Sequence, residues 1–172
     1  PLADISAGDE IALSGLLPDN GAPWEVPDLP RIAHARNPFR APRATTDELM
    51  WFLGFYIGDG LKEQARVIVC VPESDPAEPR VRASLASLFG IEQTTRHGVQ
   101  LRVNSIGLSR FIDAIGFSGN AASKRLPEWI YSLPASQKRA LVEGYVAADG
   151  HIRPNHTNMS ITSVNRGLLE DI

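Results

Sequence analysis

The sequence predicts an α+β domain built on an internal repeat, and three observations carry that prediction. Two apolar runs, FLGFYIGDG at 52–60 and VEGYVAADG at 142–150, both end in Asp-Gly, and Asp59 and Asp149 stand 90 positions apart. After each run the hydrophobic period changes from about 3.6 to 2, as when a helix passes into strands. From Thr45 the order reads helix, two strands, helix, two strands, helix. It then begins again and reaches Ile172 before the second αββαββα copy is complete.

Each element has its own sequence signal. The first segment, 1–44, offers one strand-like run, EIAL at 10–13, among prolines and glycines, and reads as the end of another domain followed by a linker. Thr45 and Glu48 fit a capping box at the start of a helix through LMWFLGFYI, which is apolar on nearly every face and so predicted to be buried. GLKEQ and RVIVCVP read as strands, and EPRVRASLASLFG as a helix ending at Gly90. EQTTRH and GVQLRVN read as a hairpin turning at His97-Gly98, followed by a helix capped by Ser105 and ending at Gly116. A short helix is expected at PEWIYS, and the second apolar helix from about Ser136 to Ala148. HIR and NMSITS read as strands, and Ser163 as the cap of a last helix. The expected division is 1–44, 45–135 and 136–172.

Composition narrows the function classes. With 43 % hydrophobic residues in 172, a packed core is expected. The uncharged apolar stretch 49–58 is about half of what crosses a bilayer, so no membrane partner is expected. The single cysteine, Cys70, allows no intrachain disulfide, fits a reducing cytoplasm, and reads as a small buried hydrophobe. No CxxC or HExxH spacing points to zinc. A net charge of −3 argues against binding to nucleic acid by bulk charge alone. One stretch departs from that balance. RIAHARNPFRAPR, 31–43, has four arginines and no acid, and fits either a solvated linker or a basic arm placing Arg36, Arg40 and Arg43 on phosphates.

The two aspartates carry the chemistry. Gly54 and Gly58 share one helix face, and Gly144 and Ala148 repeat that spacing. Small residues so placed let two helix backbones touch, and the helix ends then bring Asp59 and Asp149 together. Two carboxylates at the negative ends of two helix dipoles call for a positive partner. A divalent cation such as Mg²⁺ answers that need, with carbonyls of Gly58 and Ala148 as further oxygen ligands. Two metals flanking a phosphodiester would activate water and stabilise the leaving oxygen. An ordinary Asp-Gly turn explains either aspartate alone, but not the matched pair.

In VQLRVN, Val99, Leu101 and Val103 share one face while Gln100, Arg102 and Asn104 share the other. The second set suits base edges and phosphates. Arg96 with Thr94 is read as extending it, and Asn158, Ser160 and Thr162 as its counterpart in the second copy.

These stretches resemble the paired LAGLIDADG motifs of homing endonucleases, in the two-motif (dodecapeptide, DOD-type) form embedded in inteins. KRLPEWIYSLPASQKRALVEGYVAADG resembles the segment leading into the family's second motif, and SITSVNRGLLEDI the strand-to-helix step after it. PLADISAGDEIAL resembles the end of an intein splicing domain. The resemblance implies a saddle-shaped sheet straddling double-stranded DNA at a long recognition site. It implies Mg²⁺ held by Asp59 and Asp149, cleavage of both strands, and Lys124 as the active-site lysine. A nucleic-acid-binding module or decayed insert is the alternative. The chain begins at Pro1 and ends in Asp-Ile, without a terminal Cys, Ser or His-Asn, so it is expected not to splice and to be an interior piece of a larger intein.

Overall fold

The computed structural model describes residues 21–29, 39–152, 159–161 and 163–172. The EIAL run, Arg36, Asn158 and Thr162 lie outside the described residues, and Ser160 is described by its backbone alone.

Helix α1 (Asp47–Asp59) runs into β1 (Gly60–Lys62) and β2 (Val67–Cys70), then α2 (Glu78–Phe89), β3 (Thr95–His97), β4 (Gln100–Val103) and α3 (Ile106–Ala114). A 3₁₀ turn (Glu128–Ser132) leads to α4 (Ala135–Asp149), β5 (Gly150–Ile152), β6 (Met159–Ile161) and α5 (Arg166–Asp171). The predicted order holds element by element. Strands β1-β2-β4-β3 form one antiparallel sheet, and β5-β6 a second, two-stranded one.

The amphipathic pattern decides the layers. Val67, Val69, Leu101 and Val103 are fully buried on one sheet face, beneath the three helices of the first copy. Phe52 of α1, Phe89 of α2 and Phe111 of α3 interlock edge to face beneath them. Helix α1 has no exposed side, as its uniform apolarity predicts: Leu49 to Ile57 are all buried between the sheet-side core and α4.

Three start signals differ from expectation. Thr46, not Thr45, caps α1 by accepting from the Leu49 amide. The Thr45 hydroxyl accepts instead from the Trp24 amide, and Glu48 turns to α2, bonding Ser84 and Arg80. Asn165, not Ser163, caps α5. Tertiary partners take Thr45 and Glu48 from the local capping box, and the residue that caps α5, Asn165, also donates to the distant Lys124 carbonyl.

The domain also begins before Thr45. Glu25 bridges Ala44, and Val26 donates to the Arg43 carbonyl. The Trp24 indole stacks on Trp129 at 4.3 Å, and Phe39 packs against Phe89 and Phe111. Residues 21–29 and 39–44 thus belong to this domain's packing, not to a linker alone.

Candidate active site

The site is made by two helices whose backbones touch. A methyl group on Gly54 would run into the Leu141 carbonyl, and one on Gly144 into the Trp51 carbonyl. The contact is reciprocal: the same positions of the two motifs face each other across a local two-fold. One turn further on, a methyl on Gly58 would sit 2.6 Å from the Ala148 Cβ and 3.1 Å from an Asp149 carboxylate oxygen. The spacing of small residues read from the sequence therefore presses the C-terminal ends of α1 and α4 together, with Asp149 lying against the residue before Asp59.

The electrostatics follow from that geometry. Burial lifts Asp59 from the usual carboxylate value to about 6, the negative charges of Asp149 and then Asp75 add to the lift, and Lys124 opposes it. Asp149, at the exposed lip, is raised by loss of hydration and pulled back by Lys124. The two acids therefore share a site that disfavours their double ionisation.

Lys124 has a different post from the one expected. Its side chain is buried at 3 % exposure. The ammonium donates to the carbonyls of Tyr56 (3.0 Å), Ile57 (2.9 Å) and Gly60 (2.5 Å), and lies 4.7 Å from the centre of the Tyr56 ring. An ammonium has three protons, and all three are used. Lys124 is thus a cationic cap on the negative end of α1. Burial lowers its pKa to about 8, against the opposing pull of Asp149 and Asp59, which keeps it charged at neutral pH. In this arrangement no proton is left to polarise a water or bind a phosphate, so the lysine works on Asp59 by charge and by holding the helix end.

Cys70 is half-buried on the open sheet face, not in the core, and burial and the charge of Asp59 raise its thiol pKa. Asp75 accepts from the Ala77 amide in the turn before α2. Among the described residues no three His, Cys, Asp or Glu side chains converge as a metal cluster.

The open face of the sheet carries part of the expected set. Cross-strand pairing puts Gln100 beside Cys70 and His97, and Arg102 beside Ile68 and Thr95. Arg102 donates to the Gln100 carboxamide at 2.7 Å, and Asn104 accepts from Arg66 at 2.7 Å. Arg96 is on the other side. It pairs with Leu101, and its guanidinium bonds Glu78 (2.5 Å) and the Val71 carbonyl (2.8 Å). Thr94 accepts from Arg82 of α2. The side chains of β3 on the open face are Thr95 and His97, both exposed. Arg40 and Arg43 are exposed too, on a segment tied to the helical layer by Phe39 and by the Arg40 amide on the Phe89 carbonyl.

With the paired helices and acids in place, the comparison with known families falls on the same elements. Residues 136–172 match the family model of the LAGLIDADG-like domain. That stretch holds α4 with Asp149, β5, β6 and α5. The match supports a LAGLIDADG-like domain here, and the α+β architecture is compatible with that fold. Over its whole length the chain is 33 % identical to an iron-sulfur cluster assembly SufBD family protein of Mycobacterium leprae, covering 20 % of that protein. Over 72 % of its length it is 28 % identical to the DNA polymerase II large subunit of Thermococcus kodakarensis, covering 7 % of it. Over 81 % it is 24 % identical to a glutamine–fructose-6-phosphate aminotransferase of Methanocaldococcus jannaschii, covering 13 % of it. The chain thus spans a fifth or less of each of these relatives.

Proposed function

We propose that this chain is the core of an intein-encoded, site-specific DNA endonuclease that hydrolyses phosphodiesters in double-stranded DNA with Mg²⁺. The carrying observation is the reciprocal contact of Gly54 and Gly144, which brings Asp59 and Asp149 together at the ends of α1 and α4. The LAGLIDADG-like match over one of those helices points to homing endonucleases or related nucleic-acid-binding proteins. The relatives support an inserted segment. Proteins with three unrelated names each carry a similar stretch that is a small part of their length.

The donor set fits a hard divalent ion. Both acids are raised in pKa, so together they lack counter-charge that Lys124 only partly supplies. Asp59 and Asp149, with last-turn carbonyls of Gly58 and Ala148, would hold Mg²⁺, leaving further positions for water and phosphate oxygens. When bound, the ion supplies Lewis-acid activation of water and stabilises charge on the leaving oxygen. The chain's own residues fix the carboxylates on two rigid helices and keep Lys124 at the end of α1. Gln100, Arg102, Asn104, Thr95 and His97 offer the open sheet face to base edges and phosphates, and Arg40 and Arg43 add exposed positive charge.

The test is cleavage of a randomised plasmid library in Mg²⁺, with new double-strand ends sequenced and Asp59→Asn run in parallel. Cuts at one defined sequence, lost in the variant and on chelation, are expected. Sequence-specific binding to duplex DNA without any cutting would replace this reading with the nucleic-acid-binding module.

A further inference from the structure

Helix α5 belongs to the second copy of the repeat, yet both of its ends grip the segment that carries Lys124. At its start, the buried Asn165 donates its carboxamide N–H to the Lys124 carbonyl at 2.7 Å while its oxygen accepts from the Leu168 amide. At its end, Asp171 takes Arg125 in a two-pronged pair at 2.6 and 2.5 Å and accepts from the Leu126 amide at 3.0 Å. Gly167, in between, leaves room for the Arg125 side chain: a methyl there would come within 2.9 Å of an Arg125 nitrogen. Leu168 seals the contact from below, at 2 % exposure. Three consecutive residues, Lys124 to Leu126, are thus held from one short helix.

The Lys124 side chain runs from this clasp to the end of α1. It ends on the Tyr56, Ile57 and Gly60 carbonyls, on either side of Asp59. A continuous path of hydrogen bonds therefore runs from α5 through the Lys124 backbone and ammonium to the last turn of α1. We propose that Asn165 and Asp171 are positioning residues: they fix the Lys124 segment so that its ammonium holds the end of α1, and through it the orientation of Asp59. The second copy would then set the geometry of the acid in the first copy by two routes, the helix contact at Gly54 and Gly144 and the α5 clasp. The proposal deepens the reading of Asp59 as a metal-binding acid, but its structural content stands without that reading.

Two variants separate the clasp from general stability. Asn165→Asp keeps the oxygen that caps α5, removes the N–H given to Lys124 and sets a carboxylate oxygen against that carbonyl, which opens this arm of the clasp. Asp171→Ala removes the grip on Arg125 and Leu126. The readouts are amide hydrogen exchange and the NMR signal of the Lys124 ammonium, which a buried, fully bonded group protects from water. In each variant the Gly60 amide, which closes α1 on the Tyr56 carbonyl, is expected to exchange about tenfold faster, as when one buried hydrogen bond is lost. The Lys124 ammonium signal is expected to broaden, with the β2 amides unchanged. Should Asp171→Ala fail to fold, Asn165→Asp alone decides. An unchanged Gly60 amide and ammonium signal, or a uniform rise across β2 and α1 alike, would overturn the proposal. Cleavage is not measured, so the result is separate from whether the chain cuts DNA.

Discussion

Removing the charge of Asp59 should stabilise the fold while abolishing the proposed chemistry. Asp59→Asn keeps the shape of the side chain and deletes a carboxylate that is half-buried beside Asp149 at the negative end of α1. Raising its pKa from 3.8 to about 6 corresponds to about 3 kcal/mol at roughly 1.36 kcal/mol per decade. Because the group keeps part of its hydration, about 1–2 kcal/mol is the realistic share. The sign follows from proton linkage. The folded state binds the proton more tightly than the unfolded chain, so stability falls as pH rises from about 4 to 6 and the full cost is present above that window. Urea unfolding at pH 7.5 should therefore place Asp59→Asn about 1–2 kcal/mol above the parent, with unchanged dependence on denaturant. The gap should shrink as pH is lowered below 6 and close near pH 4. A variant equal to or weaker than the parent at pH 7.5 would show that the carboxylate is not held at a cost, and would remove the electrostatic argument for a cation between the two acids.

Other perturbations follow from the same geometry. Gly54→Ala and Gly144→Ala each push a methyl into the facing backbone, so each should cost about 1–3 kcal/mol or more in urea unfolding, and the double variant should be less than additive because both report one contact. Lys124→Met leaves three carbonyls at the end of α1 without their cation and should cost about 3 kcal/mol, read by the same unfolding measurement. Arg96→Ala should weaken the fold through Glu78 and Val71 and leave duplex binding by the folded fraction largely unchanged, whereas Thr95→Ala with His97→Ala should weaken binding in a filter or anisotropy titration and spare stability.

Much of this protein was legible as a pattern. Local periodicity located every described helix and strand, because a buried helix and a half-buried strand impose periods that survive without tertiary context. The matched Gly54/Gly58 and Gly144/Ala148 spacings located the helix contact, since only small residues on one face permit it. The side of Arg96 was also within reach. The two-residue hairpin turn at Gly98-Val99 pairs His97 with Gln100, so Arg96 must share the face of Leu101. Hairpin register, not the polar composition of β3, decides the face on which Arg96 lies.

What tertiary structure alone decided was where the polar groups end. Thr45 and Glu48 looked like a self-contained cap, but Trp24, Ser84 and Arg80 arrive from distant positions and take them. Lys124 in SKRLP looks like any loop lysine, and nothing local announces that it will be buried on three carbonyls more than sixty residues earlier in the chain. Nor does NRGLLED announce a clasp on Lys124–Leu126. The sequence alone determined the period, the repeat and the pair of acids, because those rest on local sterics and on residue size. The three-dimensional fold decided which charge meets which helix end, because a buried ammonium takes the carbonyl lone pairs that the packed chain brings within its reach.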